Sequence, residues 1–127
     1  MSYNVIKTDL APKAIGPYSQ AIKACNTIYV SGQLGLNPES GDFDDDDIVV
    51  QTKQSLNNIK AILDSAGYSL SDVVKTTVLL KDINEFASMN EVYGTFFKEP
   101  YPARAAFEVG ALPKNARVEI EAIAVKD

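Results

Sequence analysis

Between Asp47 and Gly67, apolar or weakly polar residues recur every three or four positions, at Val49, Thr52, Leu56, Ile59, Leu63 and Ala66, which is one stripe of an amphipathic helix. Aspartate precedes the stripe and glycine ends it. Both are capping residues, because a carboxylate accepts from the free N–H groups of the first turn and glycine tolerates the left-handed turn at the end. A second helix is predicted over residues 83–97, opened by a capping box of Asp82 and Glu85, with Phe86, Met89, Tyr93 and Phe97 along one face. Gly94 inside it costs about 1 kcal/mol relative to alanine. The remaining apolar runs are short and β-branched, at 18–24, 27–32, 73–81, 103–109 and 117–125, with an edge strand near 4–7. This succession restricts the chain to an α+β fold, a single mixed sheet of about six strands with both helices packed on one face.

No linker or repeat divides the 127 residues, so one domain, 1–127, is expected. No stretch approaches the roughly 20 apolar residues that a membrane helix needs, and MSYNVIKTDLAPK lacks the basic start and apolar run of a signal peptide. A cytoplasmic location and no membrane partner are the expectations. A net charge of -5 repels phosphate backbones, which argues against a nucleic-acid partner. The chain has no histidine, so the commonest general base and the commonest zinc ligand are both missing. Proton transfer then falls to carboxylates, hydroxyls and bound water. Cys25, the single cysteine, reads as a small buried apolar residue. The run Asp44 to Asp47 lacks the spacing of a calcium loop, and no metal is expected.

Strand parity connects fold to site, since successive side chains point to opposite faces of a sheet. If Ala103, Ala105, Phe107 and Val109 pack on the helices, Arg104, Ala106 and Glu108 point away. Val118, Ile120, Ala122 and Ala124 likewise oppose Glu119, Glu121, Ile123 and Val125, while Ile28 and Val30 oppose Tyr29, Ser31 and Gln33. On this register Arg104, Glu119 and Ser31 share the surface away from the helices. That surface also holds Tyr29, Leu79, Ile123 and Val125, enough apolar area to predict cover by another subunit.

Two readings are open for Arg104: a bidentate donor to a ligand carboxylate, or a structural salt bridge to Glu119 or Glu121. Glu119 is either a water-directing base or a solvated side chain. Ser31 and Gly32 offer a hydroxyl and a close approach to backbone, or a simple end of a strand. Tyr18, in the turn Gly16–Gln20, is a lid or a packing residue, and Asn90 is a ligand contact or an exposed helical amide.

Six segments, GPYSQA from Gly16, YVSGQLGLNP from Tyr29, NIKAILDSAG from Asn58, FASMNEVYGTFF from Phe86, Pro102-Ala103-Arg104 and VEIEAIA from Val118, together resemble the reactive-intermediate deaminase (RidA, YjgF-like) family. The resemblance implies a homotrimer of chorismate-mutase-like subunits with clefts between neighbours. It also implies cofactor-free hydrolysis of 2-imino or 2-enamino acids, such as 2-aminoacrylate, to 2-oxo acids and ammonia. By position, Arg104 would bind the substrate carboxylate, and Glu119 with the backbone carbonyl of Ala106 would direct the water. Tyr18, Ser31, Gly32 and Asn90 would line the cleft. Ala106 departs from the family where a cysteine is frequent, and the loop 99–101 is shorter than in some members. The competing readings are a non-catalytic sensor of 2-oxo acids or other small carboxylates, which would need Arg104 but not Glu119, and a ribonuclease, which the acidity and the missing histidine disfavour.

Overall fold

A computed structural model describes residues 3–127. The strands are β1 (Tyr3–Ile6), β2 (Ala21–Ala24), β3 (Thr27–Leu34), β4 (Val73–Leu80), β5 (Ala103–Glu108) and β6 (Val118–Val125), and the helices are α1 (Ile48–Ser65) and α2 (Phe86–Phe96). The strands form one mixed sheet in the order β1-β2-β3-β6-β4-β5, antiparallel throughout except for the parallel pair β4 and β5, which α2 connects. One cluster of buried side chains lies between the sheet and the helices, with Ile28, Leu56, Ile59, Ile62, Val78, Met89 and Ile120 fully enclosed. The α+β architecture read from the periodicities is therefore present.

The buried face of α1 is broader than the predicted stripe. It includes Gln51, Ser55 and Asn58, while Val49 is exposed. Ser55 and Asn58 have work at the end of β3. Ser55 Oγ donates to the Gln33 carbonyl at 2.7 Å, and Asn58 Nδ2 donates to the carbonyls of Leu34 and Leu36. Carbonyls that leave a sheet ladder need other donors when they are buried, and α1 supplies them. Asp47 caps the helix by accepting from the Val50 N–H.

The second helix opens differently from the prediction. A single 3-10 turn, Ile83–Glu85, precedes α2, and Asp82 accepts from the Asn84 N–H. Glu85 closes no capping box. Its carboxylate is bonded instead to Arg117 Nη1, 3.1 Å away, and Arg117 also pairs with Asp46. A nearby guanidinium outcompetes a backbone N–H for a carboxylate because the bond is charge-assisted on both sides. The predicted strand 18–24 begins only at Ala21, after the bend at Gly16–Gln20. Cys25 is exposed rather than buried, at φ 55° in the two-residue turn between β2 and β3.

Parity holds on β6 and fails in two other places. The register shifts between Val30 and Gln33, so Gln33 pairs with Ile120 and is buried on the helix side, unlike Tyr29. Such an irregularity puts an extra residue into one strand and reverses everything beyond it. On β5 the whole assignment inverts. Arg104 lies beside the buried Thr76 and Ala106 beside the buried Val78, which places Arg104 and Ala106 toward the helices. Phe107 faces away, 48 % exposed. The more apolar side of this edge strand thus looks outward, because α2 covers the inner side only partly and its overhang accommodates an arginine.

Candidate functional site

The expected site residues divide between two clefts. Tyr18, Ser31, Gly32 and Glu119 line one of about 570 Å³, together with Pro12, Lys13, Ile15, Leu34 and Glu121. Asn90 and Arg104 line another of about 440 Å³, with Tyr93, Gly94, Tyr101 and Pro102. Ala106 faces the helices at the margin of the core. Glu119 pairs across β6 with Leu79 of β4, on the sheet face opposite Arg104. The expectation that Arg104, Glu119 and Ser31 share one surface of one chain is therefore corrected: Ser31 and Glu119 do, and Arg104 does not.

The Glu119 cleft is built around a glycine. A Cβ on Gly32 would overlap Glu119 Oε2, so the absent side chain is what gives the carboxylate its seat. Burial pushes the Glu119 carboxyl above the usual glutamate range, and the like charge of Glu121 adds to the rise. The Ser31 hydroxyl donates to the Ser19 carbonyl and the Ser31 N–H to the Gln20 carbonyl, which pins the Tyr18 segment over the cleft. Tyr18 itself is half exposed.

Sequence reasoning passed over Gln20, which is buried and fastens this wall. Its Oε1 accepts from the Thr8 N–H at 2.8 Å, and its Nε2 donates to the carbonyls of Ala11 and Pro12. The available signal was a glutamine entering an otherwise apolar strand, since a buried amide is kept only where its bonds are satisfied. Glu121, weighed in the sequence only as a salt-bridge partner for Arg104, lines the Glu119 cleft instead.

At the second cleft, Arg104 Nη1 donates to Asn90 Oδ1 at 2.6 Å. Its guanidinium carbon lies 4.8 Å from the centre of the Tyr93 ring and 5.4 Å from that of Phe86. No acidic residue among the described residues forms an ion pair with Arg104, which removes the salt-bridge reading; Arg117 makes the structural pairs. Tyr93 is buried and shares a 2.7 Å hydrogen bond with Thr76. Burial raises the Tyr93 phenol, against opposing pulls from the Thr76 bond and the Arg104 charge. Phe86, Asn90 and Tyr93 share one face of α2 at spacings of four and three, a signal present in the sequence and not used.

Chemically, one cleft offers an anion-seeking guanidinium without a counter-ion, and the other a carboxylate biased toward holding a proton. Among the described residues no three acidic or cysteine side chains are grouped to hold a metal, and no helix is long and apolar enough to cross a membrane.

Residues 8–126 match the model of the family described as endoribonuclease L-PSP. The chain is 58% identical over 123 residues to a RutC family protein of Pyrococcus horikoshii, covering 97% of this chain and 98% of that protein. It is 55% identical over 122 residues to the 2-iminobutanoate/2-iminopropanoate deaminase of Mus musculus, covering 96% and 90%. Among solved structures, E. coli TdcF with bound serine superposes with a TM-score of 0.93 at 43% identity, covering 98% of this chain and 99% of that one.

Proposed function

Since the chain belongs to the reactive-intermediate (Rid) family matched by the endoribonuclease L-PSP model, we propose that it hydrolyses 2-imino and 2-enamino acids to 2-oxo acids and ammonia. The relatives of that activity at 52–55% identity support the reaction type. The observation that carries it is Arg104, a guanidinium held in place with no acidic partner among the described residues. Such a group is suited to a substrate carboxylate, and the relative solved with serine bound carries a ligand of that class.

Arg104 and Glu119 lie on opposite faces of the sheet, so one chain alone supplies only half of the proposed site. The reading therefore includes a homotrimer in which the Arg104 cleft of one protomer meets the Glu119 cleft of its neighbour. The apolar side chains on the face away from the helices, among them Tyr29 and Phe107, each about half exposed, support such an assembly. In the composite site Arg104 and Asn90 hold the carboxylate, and the neighbour's Glu119 cleft receives the imine carbon. An enamine first tautomerises to the imine. Glu119, assisted by the Ala106 carbonyl, then directs water at that carbon, ammonia leaves, and a 2-oxo acid remains. Orientation is the chief contribution, which suits a chain with so few catalytic groups. Tyr18, Ser31 and Gly32 shape the wall.

The test generates 2-aminoacrylate from serine with a dehydratase and follows release of pyruvate and ammonia. Wild type should accelerate release, and Arg104→Ala or Glu119→Ala should each lower kcat/KM by roughly 100-fold or more. Co-refolding the two variants should restore activity at roughly a quarter of the sites by random assortment between protomers. A carboxylate sensor would instead bind pyruvate saturably, lose it in Arg104→Ala, keep it in Glu119→Ala and leave release unchanged. The family's description keeps ribonuclease activity as a second reading. It requires RNA binding that weakens steeply with salt, and flat titrations would exclude it.

A further inference from the structure

Arginine side chains carry four flexible torsions, and one without an ion pair normally samples many rotamers. Arg104 has no acidic partner among the described residues, yet three side chains from one face of α2 meet it. Two make aromatic contacts with the cation and the third takes a hydrogen bond from it. The cation lies over the rings of Phe86 and Tyr93, with Cζ 5.4 and 4.8 Å from their centres. Asn90 Oδ1 takes one Nη1 donor at 2.6 Å. A guanidinium has five N–H groups along its rim, and among the described residues the bond to Asn90 is the one that engages them, so most of the rim stays open to a ligand.

The platform is itself braced. Tyr93 is bonded through its hydroxyl to Thr76, the residue directly beside Arg104 on β4, and its ring packs 4.6 Å from that of Phe97. Backbone register and side-chain stacking therefore refer to the same two adjacent strands. All of these contacts are neutral, so they order the cation without compensating its charge. An acidic partner would order Arg104 equally well and consume the positive charge that an anionic ligand needs.

Taking the carboxylate-binding role proposed for Arg104 as the premise, we propose that Phe86 and Tyr93 are positioning residues whose rings lock the guanidinium plane so that its open rim meets a substrate carboxylate. The aromatic character of position 86 then matters beyond its contribution to packing. Phe86 is only partly buried at the edge of the core, so it can be changed with little damage to the fold, whereas Tyr93 is 5% exposed and belongs to the core.

The experiment compares wild type with Phe86→Met, which keeps apolar bulk and removes the ring, and Phe86→Trp, which restores a π face. The Arg104 Nε–Hε resonance reports order directly, through its ring-current shift and its heteronuclear relaxation, and pyruvate serves as the carboxylate probe. Phe86→Met should move the resonance toward the position of a free arginine, increase its mobility, weaken pyruvate binding by about 3- to 10-fold and raise KM by a similar factor, with kcat nearly unchanged. Phe86→Trp should return affinity to within about twofold of wild type. If any Phe86 variant proves too unstable to study, Tyr93→Phe retains the ring and releases the Thr76 brace, and it should loosen Arg104 in the same direction. An Arg104 resonance and pyruvate affinity unmoved by Phe86→Met, or a loss that Phe86→Trp does not recover, would overturn the proposal. A wild type that neither binds pyruvate nor hydrolyses imines, yet shows a ring-shifted Arg104 signal lost in Phe86→Met, would retire the deaminase reading and leave the aromatic platform standing.

Discussion

Glu119 illustrates how a single side chain is tuned by its surroundings. Its folded-state pKa is raised, by burial and then by Glu121, while in the unfolded chain it titrates in the ordinary glutamate range. The folded protein therefore holds this proton more firmly. Between the unfolded and folded values, stability falls as pH rises, and above the folded value the ionised group is a constant cost. Glu119→Gln should thus be more stable than wild type at neutral pH, by on the order of 1 kcal/mol or less for so partly buried a group. The difference should shrink on acidification below the folded value. Urea unfolding across the acidic range reads this directly, and a difference that grows toward low pH would contradict it. The pattern has a sequence trace, since Glu119 and Glu121 alternate with Val118, Ile120 and Ala122. The seat that Gly32 provides has none, because nothing in the sequence relates a glycine in β3 to a glutamate in β6.

At the level of elements, helices and strands were legible wherever one face had to be buried. The stripe of α1, the Met89–Tyr93–Phe97 row of α2 and the alternation in β6 all follow from a single apolar side meeting the core. Legibility failed where that condition lapsed. On the edge strand β5 the outward side is the more apolar, so the rule that apolar means inward turned Arg104 to the wrong face. At the irregular end of β3 the period of two is broken, and Gln33 changes sides. Gly94 belongs to this scale too. A Cβ there would meet nothing within 4 Å, and the residue lines the Arg104 cleft one turn beyond Asn90. Local packing gives no reason to omit a side chain within the helix. Gly94→Ala should therefore stabilise the protein by about 1 kcal/mol and lower kcat/KM through the narrowed cleft. Thermal melts paired with the 2-aminoacrylate assay would show whether the two effects move in opposite directions.

For the molecule as a whole, the sheet divides the proposed chemistry, with the guanidinium on the helix side and the carboxylate on the other. The sequence made the sheet legible but not this division, because segment-by-segment periodicity carries no information on how two strands face one another. The open face carries Tyr29 at 51% and Phe107 at 48% exposure, with Leu79, Ile123 and Val125 partly buried. A charge placed there by Tyr29→Glu should dissociate the proposed trimer into folded, inactive monomers, seen as a fall in sedimenting mass with the circular dichroism retained. An unchanged mass would remove this face from the interface. The vacancy at Gly32 has a consequence for heredity. A side chain at that position would force the carboxylate of Glu119 to shift, so a change in one codon alters the pose of a residue written far along the message. A lineage that replaced the glycine could keep the acid, but only turned away from the place it now holds.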